Sequence, residues 1–199
     1  MKSVKLAAVI RRKKKRYIKS TPQITAENIL NREFVADSPN KKWLTDVTEF
    51  KLTNGSKAYL SAILDIGDNG IISYVIGKSN NNKLVFDTLD KAIEANPTAT
   101  SLFHSERGFQ YTSKTLKHKL NEFNAIQSMS RVGMCIDNGP MEAFWRTLKS
   151  EMYYLRKFST FEELEQAIDE YIKFYNTKRL QKKLKGMAPF EYRSHTLAA

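Results

Sequence analysis

Three stretches rich in β-branched and aromatic residues, 43–53, 57–66 and 70–77, follow one another with only Asn54-Gly55 and Asp68-Asn69-Gly70 to break them. Turns of this composition tolerate positive φ and join antiparallel neighbours, so the chain is committed early to a three-stranded meander. The period then changes. Leu84, Val85, Leu89 and Ile93 recur at helical spacing within 80–95, and Asn96-Pro97 stops that helix. Residues 101–104 read as a short strand, 112–123 as a helix, 125–129 as another short strand and 133–139 as a loop. Gly139-Pro140 opens a helix running to 154, because proline at the first helical position forfeits no hydrogen bond. Thr160-Phe161-Glu162-Glu163 has capping-box form, and Leu164, Ile168, Tyr171 and Tyr175 continue the apolar stripe of a last amphipathic helix. The expected order is β-β-β-α-β-α-β-α-α, an α/β domain over 36–197 with a mixed five-stranded sheet, flanking helices and a C-terminal helical extension. A further helical turn is expected at 26–31.

Charge divides the chain differently. Of a net charge of +12, nine positive charges fall within residues 1–20, which contain no acid, leaving 24 basic against 21 acidic residues in the rest. Arg11, Arg12, Lys13, Lys14, Lys15 and Arg16 form an unbroken run. A run like this is ordinarily a solvated face, and its commonest specific use is to neutralise nucleic-acid phosphates or an anionic membrane surface. Residues 1–35 are therefore read as a basic arm. The single cysteine, Cys135, excludes an intramolecular disulfide, and with three scattered histidines it offers no zinc-ligand spacing. No apolar run approaches the roughly 20 residues of a membrane span, so a cytoplasmic, nucleoid-associated protein is expected.

Three acids stand out against this background. Asp46 lies in mid-strand within Trp43-Leu44-Thr45-Asp46-Val47-Thr48; with Trp43, Thr45 and Val47 on one side it faces the other, where a carboxylate is costly unless solvated, paired or bound to metal. Glu106 ends a strand in His104-Ser105-Glu106-Arg107-Gly108, and 35 residues lie between it and Glu142, in the first turn of a helix. Singly, each has an ordinary explanation: a surface aspartate, a loop acid paired with Arg107, a helix N-terminal acid complementing the dipole. Together they are the parts of a metal-dependent phosphoryl-transfer site, in which hard divalent cations held by carboxylates activate an attacking hydroxyl and stabilise a leaving oxygen. Arg146 and Lys149 follow Glu142 by one and two turns, giving a basic stripe suited to a phosphate backbone. The ordinary alternative for Lys149 is an ion pair with Glu142 or Glu151.

The segments Trp43 to Glu49, His104 to Tyr111, Gln127 to Ser130, Asp137 to Phe144 and Leu148 to Glu151, followed by Tyr175-Asn176, Arg179 and Pro189, closely resemble insertion-sequence transposases of the IS-three type. The resemblance runs in order from about residue 26 to 193. It implies a retroviral-integrase-like core of the ribonuclease H fold, with Asp46, Glu106 and Glu142 as catalytic metal ligands, Mg2+ as the cofactor with Mn2+ able to substitute, and Lys149 contacting DNA ends. The implied reaction is hydrolytic nicking at the element's end, then strand transfer by the freed hydroxyl, on DNA and as a homo-oligomer. Trp43, Phe144 and Trp145 are read as packing aromatics.

Two departures qualify that resemblance. The family carries aspartate where this chain has Glu106, and the extra methylene adds roughly 1.5 Å of reach, so an enzyme that binds metal and DNA but is catalytically impaired is expected. About 40 residues precede Trp43 and resemble only the tail of a helix-turn-helix region, so a truncated copy or an internal start is expected. The rival reading is a catalytically inactive DNA-binding remnant.

Overall fold

The computed structural model describes residues 24–99 and 101–198. Strands β1 (Lys42–Lys51), β2 (Lys57–Asp65) and β3 (Ile71–Gly77) form the expected meander, followed by helix α1 (Asn82–Ala95), β4 (Leu102–Ser105), α2 (Lys114–Glu122) and β5 (Ile126–Met129). Helices α3 (Gly139–Glu151), α4 (Phe161–Thr177) and α5 (Pro189–Leu197) complete the chain. The sheet order is β3-β2-β1-β4-β5, with β1 antiparallel to β2 and parallel to β4, so β1 is its centre. In the two turns, positive φ falls on Gly55 (82°) and on Asn69 (57°) rather than Gly70.

Alternation along β1 feeds two cores. Trp43 joins Ile63, Leu89, Phe103 and Leu116 beneath α1 and α2, whereas Leu44 and Phe50 join Leu60, Leu148, Leu164 and Ile168 beneath α3 and α4. Each such side chain contributes about 1.5–3 kcal/mol on burial. Local signals agree with the packing: Asn81 caps α1, Ser113 caps α2, and Thr160 and Glu163 close the capping box of α4.

Three expectations need correction. Residues 26–31 form no helix; they run along β5, where Glu27 O accepts from Met129 N at 3.1 Å and Ser128 Oγ accepts from Ile29 N and Leu30 N at 3.0 and 3.1 Å. The edge of β5 offers backbone groups that need partners, and burying Leu30 against the core outweighs a weak helical tendency. The helix opened by Pro140 ends at Glu151 rather than 154, since Met152 leaves helical geometry (φ −131°) and a 3₁₀ turn, Tyr153–Leu155, follows. Helix α5 is an extra element, docked by Arg193, whose guanidinium donates to Asp68 Oδ2 at 2.9 Å and to Asn40 Oδ1 at 2.6 Å. Arg11, Arg12, Lys13, Lys14, Lys15 and Arg16 lie outside the described residues.

Asn176 on α4 holds the start of β3 through both of its amide atoms, accepting from Ile71 N and donating to Ile71 O, each at 2.9 Å. Replacing it with alanine leaves two buried backbone groups unpaired. Asn176→Ala is expected to lower unfolding free energy by about 2–4 kcal/mol, measured by urea denaturation.

Candidate active site

The parallel register pairs Leu44 of β1 with His104 of β4, and continuing it two residues sets Glu106 level with Asp46. Helix α3 brings Glu142 to the same place because it is tied to β1 at two points. Asn138 Nδ2, at the entrance to α3, donates to Thr45 O at 3.0 Å, and Trp145 Nε1 donates to Asp46 Oδ2 at 3.0 Å. Glu142 and Trp145 are three residues apart and share a helix face.

The electrostatics report the convergence. Burial, then the charge of Glu106 and to a lesser extent that of Glu142, push the Asp46 carboxyl up to about 7 against the opposing hydrogen bonds of Val47 N–H and the Trp145 indole. Burial and Glu142 likewise raise Glu106. Hydrogen bonding to Glu142, and that group's charge, push the exposed Cys135 thiol up. Lys149 is half-buried, with Nζ 5.3 Å from the centre of the Phe50 ring; burial lowers its ammonium while Asp46 and Glu49 raise it. Among the described residues Lys149 forms no ion pair, and Glu151 is taken by Arg179, whose guanidinium reaches it at 2.6 Å. Arg146 is exposed on the next turn of α3 after Glu142.

Neighbouring polar groups hold the strand end and the helix entrance. His104 is fully buried between Ser128 Oγ (2.9 Å from Nδ1) and Ser130 Oγ (3.1 Å from Nε2), and burial drives its imidazole down to about 4. Because Ser128 Oγ already accepts two backbone N–H groups, its own proton must go to Nδ1, which leaves the His104 proton on Nε2 for Ser130. Asp137, with no exposed side-chain surface, receives Arg131 through two guanidinium nitrogens at 2.8 and 2.9 Å and Arg32 at 2.7 Å. Hydrogen bonding to Arg131, then to Arg32, holds it far below the usual carboxylate range. Arg107, read as a possible partner for Glu106, donates Nε to Ser130 O at 2.8 Å instead. Sequence reasoning missed Asn138 and Asp137 as fasteners and treated Trp145 as packing alone. The spacing of Trp145 one turn after Glu142 was the available signal.

Among the described residues, no three His, Cys, Asp or Glu side chains already stand close enough together to enclose an ion. The donor set nevertheless fits a hard divalent cation, since a positive charge would relieve the repulsion and burial that now raise Asp46 and Glu106. No helix among the described residues is long and apolar enough to cross a membrane.

The family described as "Integrase core domain" matches residues 36–135, and a second family of that description matches 142–197. The chain is 43% identical over 197 residues to the putative transposase InsK for insertion sequence element IS150 of Escherichia coli K12, covering 98% of this chain and 69% of that protein. It is 44% identical over 172 residues to an uncharacterized transposase-like protein of Haemophilus influenzae, covering 86% and 79%. In fold it is similar to the HTLV-2 integrase catalytic core domain, solved in complex with magnesium, at a TM-score of 0.56, 16% identity and coverage of 79% and 98%.

An acid whose pKa rises on folding destabilises the folded state only where the unfolded chain is ionised. For Asp46 that cost is absent below its ordinary value of 3.8, grows up to about 7 and is level above. It amounts to roughly 4 kcal/mol at most. Asp46→Asn, which can still accept from Trp145, is therefore expected to raise the melting temperature of the metal-free chain by several degrees near about pH 8 and hardly at all near about pH 4. Scanning calorimetry at the two pH values checks this.

Proposed function

The chain belongs to the integrase-core family of insertion-sequence transposases, and from that membership we propose that it nicks DNA at an element's ends and joins them to a target. The observation that carries this reading is the approach of Asp46 on β1, Glu106 just past the end of β4 and Glu142 on α3, close enough that both glutamates raise the Asp46 carboxyl and Glu142 raises that of Glu106. Water attacks a phosphodiester phosphorus and the bond to the 3′ oxygen breaks, freeing a 3′ hydroxyl. That hydroxyl then attacks a phosphorus of the target strand, and a target 3′ oxygen leaves. Neither step passes through a covalent bond to the protein.

Magnesium bound by the three carboxylates, with manganese as a substitute, would supply positive charge for the attacking and leaving oxygens. The chain's own residues do the rest. Asp46 is fixed by Trp145; His104, neutral and held between two serines, sets the end of β4 from which Glu106 projects. Lys149, without an ion-pair partner among the described residues and lying beside Asp46, is placed to meet the DNA phosphate, with exposed Arg146 next to it. The proposed setting is the bacterial cytoplasm, on nucleoid DNA, with several copies of the chain acting together.

One observation favours a second reading, a copy that binds ends but reacts poorly. Glu106 reaches one methylene further than aspartate, and errors on the order of 1 Å cost about 100-fold in rate at such sites. Strand transfer by the natural chain and by Glu106→Asp, on a duplex copied from the DNA bordering its own gene, separates the two. In magnesium the aspartate variant is expected to be about 10–100-fold faster, with a smaller gap in manganese; equal rates would remove the impaired-copy reading. Asp46→Asn is expected to abolish nicking in either metal while still retaining the duplex in a gel-shift assay.

A further inference from the structure

Trp145 is 7% exposed and packs its rings against Phe144 at a centroid distance of 5.0 Å, so its burial alone looks like core. Its N–H, however, is given to Asp46 Oδ2 at 3.0 Å. Among the described residues this is the one side-chain hydrogen bond that the carboxylate receives, and it leaves Oδ1 without a side-chain donor. An indole is a donor only. It cannot take a proton from Asp46, cannot bind a cation in competition with it, and rewards the ionised carboxylate over the neutral acid.

Trp145 also sits one turn after Glu142 on α3, whose entrance is pinned to β1 through Asn138 and Thr45 and whose Phe144 meets Tyr175 of α4 edge-on at 4.9 Å. We propose that Trp145 is a positioning residue, an indole latch that fixes the Asp46 carboxylate in one orientation and reserves Oδ1 for the cation. The latch makes Asp46 and Glu142 a single unit: any movement of α3 that carries Glu142 carries the Asp46 carboxylate with it. This rests on the metal-binding reading of the three carboxylates given above.

Trp145→Phe keeps an aromatic ring and removes only the donor. Binding of Mn2+ to the full chain, read from the electron paramagnetic resonance of the free ion, is expected to weaken by about 10-fold in the variant, in the range typical when a group supporting a metal ligand is lost. Its melting profile in chelator should remain cooperative. A second measurement needs no substitution. In proton–nitrogen spectra of the chain labelled at tryptophan nitrogen, the Trp145 indole resonance should move on addition of Mg2+ while that of Trp43, the other tryptophan, stays in place.

If the natural chain binds no Mn2+, the metal reading itself fails and the latch with it. If the natural chain and Trp145→Phe bind Mn2+ equally, the latch alone is overturned. Should the variant fail to fold, the spectra decide, and a Trp145 resonance unmoved by saturating Mg2+ overturns the proposal.

Discussion

Asp46 stands on the central strand, on the face of β1 whose neighbours Leu44 and Phe50 enter the core beneath α3 and α4. A carboxylate there cannot be left alone, because an ionised group removed from water costs several kcal/mol unless something receives it. The surrounding structure supplies a partial answer: one indole donor, one backbone N–H, and burial that is incomplete. Two further acids then arrive from β4 and α3 and make the position worse, raising the very group that burial already strains. Such an arrangement lowers stability in the metal-free chain and becomes sensible once a cation or the charge it attracts is part of the site.

Keeping three acids together against their own repulsion requires rigid supports, and the polar network around them has that character. Asn138 ties the entrance of α3 to Thr45, Asp137 gathers Arg131 and Arg32, and His104 bridges Ser128 and Ser130 with a proton arrangement that the Ile29 and Leu30 amides dictate. Through these contacts residues 27–32 are fastened to the same structure that fixes Glu106 and the start of α3. Beyond α3, Arg179 fixes Glu151, and with Tyr171 donating to the same carboxylate at 2.8 Å it joins the far end of the helix to α4 and the segment after it. The helix that carries Glu142 is thus held at both ends and in the middle.

Most of the fold was legible because its signals are local. Runs of β-branched and aromatic residues and two Gly-containing turns gave the meander, Gly139-Pro140 gave the start of α3, and Thr160 with Glu163 gave the cap of α4. Failures came where a tertiary partner decides. Residues 26–31 resemble a helical turn until the open edge of β5 is present to bond them, and α5 has a weak apolar stripe of its own and is recruited through half-buried Arg193. At the site, the motifs brought out Asp46, Glu106 and Glu142; strand register sets the first two level, and the bonds of Asn138 and Trp145 to β1 bring α3 and its Glu142 alongside. The second use of Trp145 was invisible, since the same residue would serve a purely apolar core, and only the 3.0 Å contact to Asp46 distinguishes the two.

If the strain at Asp46 exists for a cation, the cation must go there. Anomalous diffraction from crystals of the chain grown with manganese tests this most directly. The expected result is a manganese peak bound through Asp46 Oδ1 and within reach of Glu106 or Glu142, with Trp145 still bonded to Oδ2. Saturating manganese that leaves Asp46 without a metal, or that binds only elsewhere on the chain, would contradict it.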